Sequence, residues 1–195
     1  FTISPFQEHS LHEVPYTWNY AKELASYDEF YDPIGDPGGT GISCTNIPAW
    51  KQQELLHGYY ACVSFIDAQV GRLLDELEAQ GLHTNTIVVL WGDHGFHLGD
   101  HAEWAKHTNL ERATRVPFIV HNPFSEQSGL QSDTPVTLMD IYPTLCEMVG
   151  LPIPQQPLNE NEEAVDPAAG RSLKGKSLAG VVNGTESSVR TGAVN

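Results

Sequence analysis

The longest regular pattern in the chain runs from Pro48 to Gly81, where apolar residues recur at every third or fourth position. A helix with about 3.6 residues per turn places such positions on one face. The apolar positions are Leu55, Leu56, Tyr59, Val63, Ile66, Val70, Leu73, Leu74 and Leu77. The spacing predicts a long amphipathic helix over 48–81, with Gly81 as its stop signal.

Two short apolar runs follow this helix. "TIVVLW" (Thr86 to Trp91) and "VPFIV" (Val116 to Val120) are rich in β-branched residues and show no polar alternation. Such runs are typical of strands buried on both faces of a parallel sheet. Helix, strand, polar segment and strand in this order predict an α/β fold, with the ligand crevice beyond the carboxyl ends of the strands.

The flanks are less regular. Residues 1–47 are rich in Pro, Gly and aromatic residues, which predicts a long surface loop region with short helical turns. Downstream, "DIYPTLCEMVG" predicts a helix capped by Asp140, with Pro143 in its first turn and Gly150 closing it. Residues 156–195 begin with an acidic stretch typical of a solvated loop and end in a predicted short helix or strand.

Composition and charge narrow the possible function classes. The chain has 195 residues, of which 40% are hydrophobic, enough for a packed core. Its 25 acidic and 10 basic residues give a formal net charge of −15, which argues against nucleic acid or an anionic membrane surface as a partner. No stretch reaches the about 18 apolar residues of a membrane span. We therefore predict no nucleic-acid partner and no membrane span.

The three cysteines are Cys44, Cys62 and Cys146, and no two of them are closely spaced. An odd number without a Cys-x-x-Cys pair indicates neither a zinc knuckle nor a complete disulfide framework. The cysteines therefore leave the redox compartment open.

Titratable residues are concentrated in "GDHGFHLGDHAEWAKH", Gly92 to His107, directly after the first predicted strand. Neighbours on a strand point to opposite faces, but at the turn after it Asp93 and His94 can converge on one divalent cation. Oxygen ligands favour Ca²⁺ or Mg²⁺, and additional imidazoles would favour Zn²⁺ or Mn²⁺. The pair also fits a structural role, in which Asp93 caps a helix and His94 donates to a backbone carbonyl.

Other residues of this segment are further candidates for chemistry. Three histidines fit metal ligands, acids or surface residues: His97, His101 and His107. Alternatively, His101 can pair with Asp100, so that one side chain orients the other. Lys106 can hold an anionic oxygen of a substrate ester, or form a surface ion pair with Glu103 or Glu111. Spacing alone leaves both interpretations of Lys106 open.

The combination of motifs resembles the sulfatase family of the alkaline-phosphatase superfamily, and most closely its iduronate-2-sulfatase branch. In that family a buried strand ends in Asp-His-Gly, followed by Leu-Gly-Glu/Asp-His and then Glu-Trp-Ala-Lys. The corresponding elements here are Asp93-His94-Gly95, Leu98-Gly99-Asp100-His101 and Glu103-Trp104-Ala105-Lys106. The resemblance covers residues 50–155 with specific motifs and the flanks loosely.

The resemblance implies an α/β fold, an alkaline-phosphatase-like sandwich with a mostly parallel central sheet flanked by helices, of which this chain is a partial domain. Residues 1–155 would form the second half of the catalytic domain. That half would comprise a long loop region (1–47), the helix (48–81) and the metal and substrate segment (86–120). Residues 156–195 would continue toward the C-terminal part.

The resemblance also implies roles for matching positions. Asp93 and His94 would be ligands of the catalytic divalent cation, usually Ca²⁺ in this family. Lys106 would be catalytic, contacting a sulfate oxygen as the S–O bond breaks. Three further residues are expected in the substrate pocket: His97, Trp104 and His107. Asp100 and His101 are expected to contact and orient the residues that bind the cation or the substrate.

The nucleophile of the family is a formylglycine made from cysteine in a Cys-x-Pro-x-Arg motif, and none of the three cysteines lies in one. The N-terminal half of the same protein is therefore the expected partner, with a sulfated sugar or another small sulfate ester as substrate. Two ligands fall short of the about six to eight that Ca²⁺ takes, so the isolated chain is expected to bind the ion weakly and to be inactive. The family suggests an exported, periplasmic or lysosomal location.

Two other functions stay open. A phosphoester or phosphonate hydrolase of the same superfamily shares the Asp-His-Gly metal motif, although the Glu-Trp-Ala-Lys segment favours sulfate. A non-catalytic sulfatase-like fragment would keep the fold but lack the nucleophile.

Overall fold

The computed structural model describes residues 2–5, 24, 47–153 and 175–192. The chain divides into two compact units, one of Phe1–His83 with Val89–Ile119 and the other of Thr84–Val88 with Val120–Asn195. The loop region predicted for residues 1–47 and the acidic stretch after residue 155 lie largely outside the described residues.

The predicted long helix is confirmed. Helix α1 spans Ala49–Ala79, and Gly81 follows it with a φ of 67°. The Gly81 N–H donates to Glu78 O and the Leu82 N–H donates to Leu77 O, which are the paired bonds of a Schellman motif. Gly81 ends the helix because this left-handed conformation is disfavoured for residues that carry a Cβ.

The apolar face of α1 is buried near its N-terminus and exposed farther along. Leu56 is 5% exposed, and Gln52 Nε2 donates to Ile47 O at 2.9 Å. In the following turns, Val63 and Leu73 are 52% and 73% exposed. The described residues thus leave much of this apolar face uncovered.

Four short strands lie in the described part of the chain: β1 Val88–Trp91, β2 His97–Leu98, β3 Trp104–Ala105 and β4 Phe118–His121. β1 pairs with β4 and β2 pairs with β3, which gives two two-stranded sheets. The β2–β3 pair is antiparallel. The Gly92 N–H, directly after β1, donates to Pro117 O, directly before β4. Helices and sheets together confirm the predicted α/β class.

The burial predicted for the first strand is wrong for the second half of β1. Leu90 and Trp91 are 40% and 48% exposed, whereas the two valines before them are half-buried. A single neighbouring strand covers one edge of β1 but neither of its faces. Strand β4 likewise alternates between half-buried and exposed residues. These two strands therefore carry apolar side chains that the described residues leave partly exposed.

The core of the first unit forms around Trp104, which is 1% exposed. Leu24 and Ile47 are buried with it, and Leu55 and Leu98 pack against this cluster. A buried Trp ring removes a large apolar area from water. Since Trp104 belongs to β3, the same packing anchors that strand.

Among the described residues after α1, the three shorter α-helices are α2 Glu111–Thr114, α3 Ile141–Met148 and α4 Ala179–Val182. Asp140 precedes α3, Pro143 lies in its first turn, and Gly150 follows it with a φ of 71°. The predicted boundaries of this helix are therefore confirmed, as is a short helix near the C-terminus. Among the described residues, every helix is too short or too polar to cross a lipid bilayer.

The side chain of Asp140 does not cap α3, contrary to prediction. It is 0% exposed and accepts hydrogen bonds from the Thr137 N–H at 2.8 Å and the Lys176 N–H at 2.7 Å. Arg190 Nη2 donates to it at 2.6 Å. A buried carboxylate requires charged or polar partners of this kind. Asp140 therefore holds the C-terminal segment against the start of α3.

Candidate active site

The loop after β1 is fixed by backbone contact with α2. The Gly95 N–H donates to Ala113 O at 2.7 Å. A Cβ at position 95 would lie 1.9 Å from Arg112 O, far inside van der Waals contact. Only glycine fits at position 95. This close backbone approach helps to position the loop in which Asp93 and His94 follow β1.

Asp93 and His94 converge, as the turn after a strand allows. The His94 N–H donates to Asp93 Oδ1 at 3.0 Å, and His94 Nε2 lies 3.4 Å from Asp93 Oδ2. His94 Nδ1 lies 2.8 Å from Gly95 O. Because a carbonyl oxygen only accepts, Nδ1 carries the proton, and a neutral ring presents a lone pair at Nε2. The structure thus shows the contact with a backbone carbonyl that the sequence allows for His94, and its role as a metal ligand stays a prediction.

Two lone-pair atoms at this separation suit a shared cation. Ligands about 2.4 Å from Ca²⁺ and at right angles to each other lie about 3.4 Å apart, which matches the 3.4 Å between His94 Nε2 and Asp93 Oδ2. The Asp93 and His94 side chains are 83% and 36% exposed, so an ion can reach both. Within the described ranges, no group of three or more His, Cys, Asp or Glu side chains is placed to hold a metal. The pair fits a divalent cation as two of its ligands.

The β2–β3 hairpin carries the second group of predicted site residues. His97 pairs with Ala105 across the hairpin. Gly99 begins the connection with a φ of 97°, and a Cβ there would lie 2.9 Å from the Trp104 ring. Ala105 has a φ of 66°, in the left-handed region that is disfavoured for residues with a Cβ. Side-chain packing and strand pairing therefore stabilise this hairpin against the backbone preference of Ala105.

Lys106 directly follows the left-handed Ala105 and is half-buried. The Thr108 N–H donates to Lys106 O at 2.8 Å, which closes a tight turn with His107 as its central residue. His107 is exposed. The predicted sulfate contact thus lies on a short hydrogen-bonded turn between β3 and α2.

His97 lies in the interior and not in an open pocket. It is 2% exposed, and its Nε2 lies 2.7 Å from Thr108 Oγ1. Burial lowers the pKa of His97 below 6.5, while Asp100 raises this pKa and Arg112 lowers it to smaller extents. Trp104 is equally enclosed at 1% exposed. Both side chains are thus enclosed by the rest of the chain, and their place in a substrate pocket stays a prediction.

Asp100 and His101 lie in a 3₁₀ turn between β2 and β3, Asp100–Ala102. The Asp100 carboxylate accepts a hydrogen bond from Ser4 Oγ and lies 3.2 Å from Arg112 Nε. His101 is exposed, with a left-handed φ of 55°. Asp100 therefore connects this turn to α2, and the support of both residues for a metal site stays a prediction.

Two residues of this region have no motif in the sequence that would select them. Thr108 contacts His97 across 11 positions of the chain, and Arg112 pairs with Asp100. Their one sequence signal is location, because both lie in the short polar stretch between Lys106 and the next strand. The contacts themselves exist only once the hairpin has formed.

Comparison with protein families matches residues 1–151 to the family model described as Sulfatase. The chain belongs to the sulfatase family. Sulfatases are generally metal-dependent.

Curated sulfatases share this part of the sequence. A sulfatase of Formosa agariphila is 43% identical over 130 residues, which cover 62% of this chain and 25% of that protein. Iduronate 2-sulfatase of Homo sapiens is 36% identical over 132 residues, which cover 55% of this chain and 24% of that protein. The chain thus spans about a quarter of the length of the curated sulfatases it matches.

Solved structures agree with the predicted fold of this sulfatase-family chain. BT4656 in complex with its substrate D-glucosamine-2-N,6-O-disulfate aligns with a TM-score of 0.59 and 30% identity, over 73% of this chain and 25% of that chain. Phosphonate monoester hydrolase SpPMH from Silicibacter pomeroyi aligns with a TM-score of 0.62 and 23% identity, over 93% of this chain and 32% of that chain. The second likeness shows the fold alone. The alkaline-phosphatase-like α/β fold is confirmed, and this chain covers part of it.

Proposed function

We propose that the whole protein hydrolyses sulfuric esters and that this chain supplies two ligands of its divalent cation and a lysine for the sulfate group. One observation carries the proposal: in a member of the sulfatase family, Asp93 Oδ2 and His94 Nε2 lie 3.4 Å apart. The bond from His94 Nδ1 to Gly95 O supports it, because histidine ligands usually donate their other ring N–H to a carbonyl or carboxylate.

The proposed cation is Ca²⁺. The Asp93 carboxylate is a hard oxygen ligand of the kind that Ca²⁺ prefers, and the imidazole of His94 would be its less usual neighbour. A bound divalent cation would supply positive charge that polarises the ester and stabilises charge developing in the transition state. Since Ca²⁺ takes about six to eight ligands, the remaining ones would come from other parts of the protein.

Lys106 is the proposed catalytic cation of this chain. It is half-buried, and a charge near the protein surface acts through a lower effective dielectric constant than a charge in bulk water. An ammonium group beside a sulfate oxygen would stabilise the negative charge that develops as the S–O bond breaks. His107, exposed at the centre of the same turn, is a proposed substrate contact, and Asp100 and His101 are proposed supports of the site.

The nucleophile is proposed to come from the N-terminal half of the same protein. None of the three cysteines lies in a Cys-x-Pro-x-Arg motif. The chain spans about a quarter of the length of its curated relatives, and the family match ends at residue 151, near the proposed end of the catalytic domain. The exposed Val63 and Leu73 of α1 also support this division, because a complete domain would bury an apolar helix face.

The proposed substrate is a sulfated sugar. Related proteins include an iduronate 2-sulfatase and a structure solved with D-glucosamine-2-N,6-O-disulfate as its substrate. An exported, periplasmic or lysosomal location is proposed from the family resemblance.

Rates of the full-length protein on an aryl sulfate and an aryl phosphate test the proposal. A kcat/KM at least about tenfold higher for the sulfate is expected. The opposite preference would favour a phosphoester or phosphonate hydrolase, for which the shared fold with SpPMH is the supporting observation. Peptide mass mapping should also find a Cys-x-Pro-x-Arg peptide with the mass loss of formylglycine formation. Neither activity and no such peptide would indicate a non-catalytic fragment.

A further inference from the structure

One residue, His97, contacts the chain on both sides of Lys106. In the β2–β3 pair, the backbone of His97 lies opposite Ala105, the residue before Lys106. Beyond Lys106, His97 Nε2 lies 2.7 Å from Thr108 Oγ1. The segment that carries Lys106 is therefore held at both of its ends by the same residue.

Thr108 connects this contact to the neighbouring backbone. The Leu110 N–H, directly before α2, donates to Thr108 Oγ1 at 3.2 Å. The Thr108 N–H donates to Lys106 O at 2.8 Å. Thr108 thus bonds to His97 through its side chain and to Lys106 through its backbone, which makes it the link between these two residues.

The backbone at this point needs support from its surroundings. Ala105 has a φ of 66°, and a residue with a Cβ keeps this left-handed conformation only where neighbouring contacts enforce it. Ala105 and His97 are 1% and 2% exposed, so water does not compete for the contacts that hold them. Loss of one of these contacts should therefore loosen the turn that follows.

Burial also determines the charge of the His97 ring. The pKa of His97 is lowered chiefly by burial, and the charged groups that act on it are Asp100, which raises it, and Arg112, which lowers it. At neutral pH the ring is therefore neutral. A neutral imidazole can bond to the Thr108 hydroxyl without placing an additional charge in the interior.

We propose that His97 is a positioning residue for Lys106, because its hydrogen bond to Thr108 fixes the turn that holds the Lys106 ammonium against the sulfate group. The catalytic part of this inference rests on the proposed sulfatase function, whereas the positioning part concerns the turn alone. With 2% of its surface exposed, His97 is proposed to act through Lys106 and not as a catalytic residue.

Substitutions at Thr108 in the full-length protein test the inference. Thr108→Val removes the hydroxyl but keeps the side-chain volume, and it is expected to lower kcat on an aryl sulfate by about tenfold with a smaller change in KM. Thr108→Ser keeps the hydroxyl and should stay within about twofold. Thr134→Val is the matched control, because Thr134 Oγ1 makes a side-chain hydrogen bond of the same 2.7 Å length, to the Ser188 hydroxyl in the other unit.

A double variant separates positioning from a general loss of stability. Lys106→Ala removes the group that His97 positions, so adding T108V to it should lower kcat by less than about twofold further. A further tenfold loss in the double variant would overturn the inference, because Thr108 would then act without Lys106. If T108V does not fold, Thr108→Ala replaces it in the same comparison.

Amide hydrogen exchange gives a readout that does not depend on activity. T108V should accelerate exchange in residues 105–110 by about fivefold or more while α1 stays unchanged, and His97→Leu should do the same. Unchanged exchange in both variants would overturn the inference. Accelerated exchange together with full sulfatase activity of K106A would support the positioning of the turn and contradict the proposed catalytic role of Lys106.

Discussion

His94 Nε2 faces Asp93 Oδ2 across 3.4 Å, while the other nitrogen of the same ring is bound to Gly95 O. One ring nitrogen thus anchors the side chain, and the other presents its lone pair beside a carboxylate. Two acceptors that face each other repel unless a proton or a cation lies between them. The proposed shared divalent cation would remove this repulsion.

Calcium titrated into the 195-residue chain should bind weakly, with a Kd of about 10⁻⁴ M or higher, because two ligands replace little of the hydration shell of the ion. Asp93→Asn should weaken this binding further, since it removes the only charged ligand of the pair. Isothermal titration calorimetry measures both. Asp75→Asn, at an exposed position of α1, is the matched control and should bind as the wild type does. A submicromolar Kd for the wild-type chain would contradict a two-ligand site.

Lys106→Ala in the complete enzyme should lower kcat/KM by a factor of about 100 or more, in line with the loss of one donor to a developing negative charge. Steady-state kinetics on an aryl sulfate measure this effect. Lys176→Ala is the control, because Lys176 is exposed in the other unit and its Nζ donates to Val189 O at 3.2 Å. An effect of K106A below about threefold would contradict the catalytic role and favour a surface ion pair as the role of Lys106.

Gly95→Ala should displace the loop that carries Asp93 and His94, because its Cβ would lie 1.9 Å from Arg112 O. We expect a fall in kcat/KM of about 100-fold. Overpacking should also lower the free energy of unfolding by about 1–3 kcal/mol. Gly71→Ala in α1 is the control, since nothing lies within 4 Å of its Cβ position; it should stabilise the helix by about 0.5–1 kcal/mol. Wild-type activity of G95A would show that the loop tolerates displacement.

The lowered pKa of His97 predicts that mild acid destabilises the fold. In the unfolded chain this residue regains its ordinary pKa of 6.5, so below that pH the unfolded state binds the proton more readily than the folded state does. The stabilisation by neutral His97 is therefore complete above pH 6.5 and is lost as the pH falls through 6.5 toward the lowered folded-state pKa. Urea unfolding between about pH 5 and 7.5 should show a steeper loss for the wild type than for His97→Gln.

The exposed His83 provides the control for this pH dependence. His83→Gln makes the same kind of substitution but leaves buried His97 and its contacts in place, so the wild-type slope of unfolding free energy against pH should remain. Equal slopes for the wild type and H97Q would contradict the role assigned to buried His97.

The helix boundaries were accessible to sequence reasoning because their causes are local. The apolar period of α1 and the left-handed Gly81 act within a few residues of each other. The same holds for Asp93 and His94, whose convergence follows from the end of β1. By contrast, the exposure of Trp91 at 48% depends on which layers cover the strand, and a short apolar run carries no information about that.

The segment with the predicted sulfate contact shows the same division. It places His97, Trp104 and Lys106 close together along the chain, but the sequence does not show which of them face inward. The antiparallel pairing of β2 with β3 buries the first two and leaves Lys106 half-buried on the following turn. Asp140 is a parallel case, because its position before α3 was predictable and its buried bond to Arg190 was not.

The sequence by itself determines the family of this chain and helix α1, and it predicts a cation site at Asp93 and His94, because periodicity, turn residues and motifs act over short stretches. Only the tertiary structure decides that His97 bonds to Thr108 and that Asp140 bonds to Arg190. These contacts join residues 11 and 50 positions apart, and burial then makes polar partners necessary for these side chains. Their energies depend on packing and desolvation, which arise only when distant parts of the chain meet.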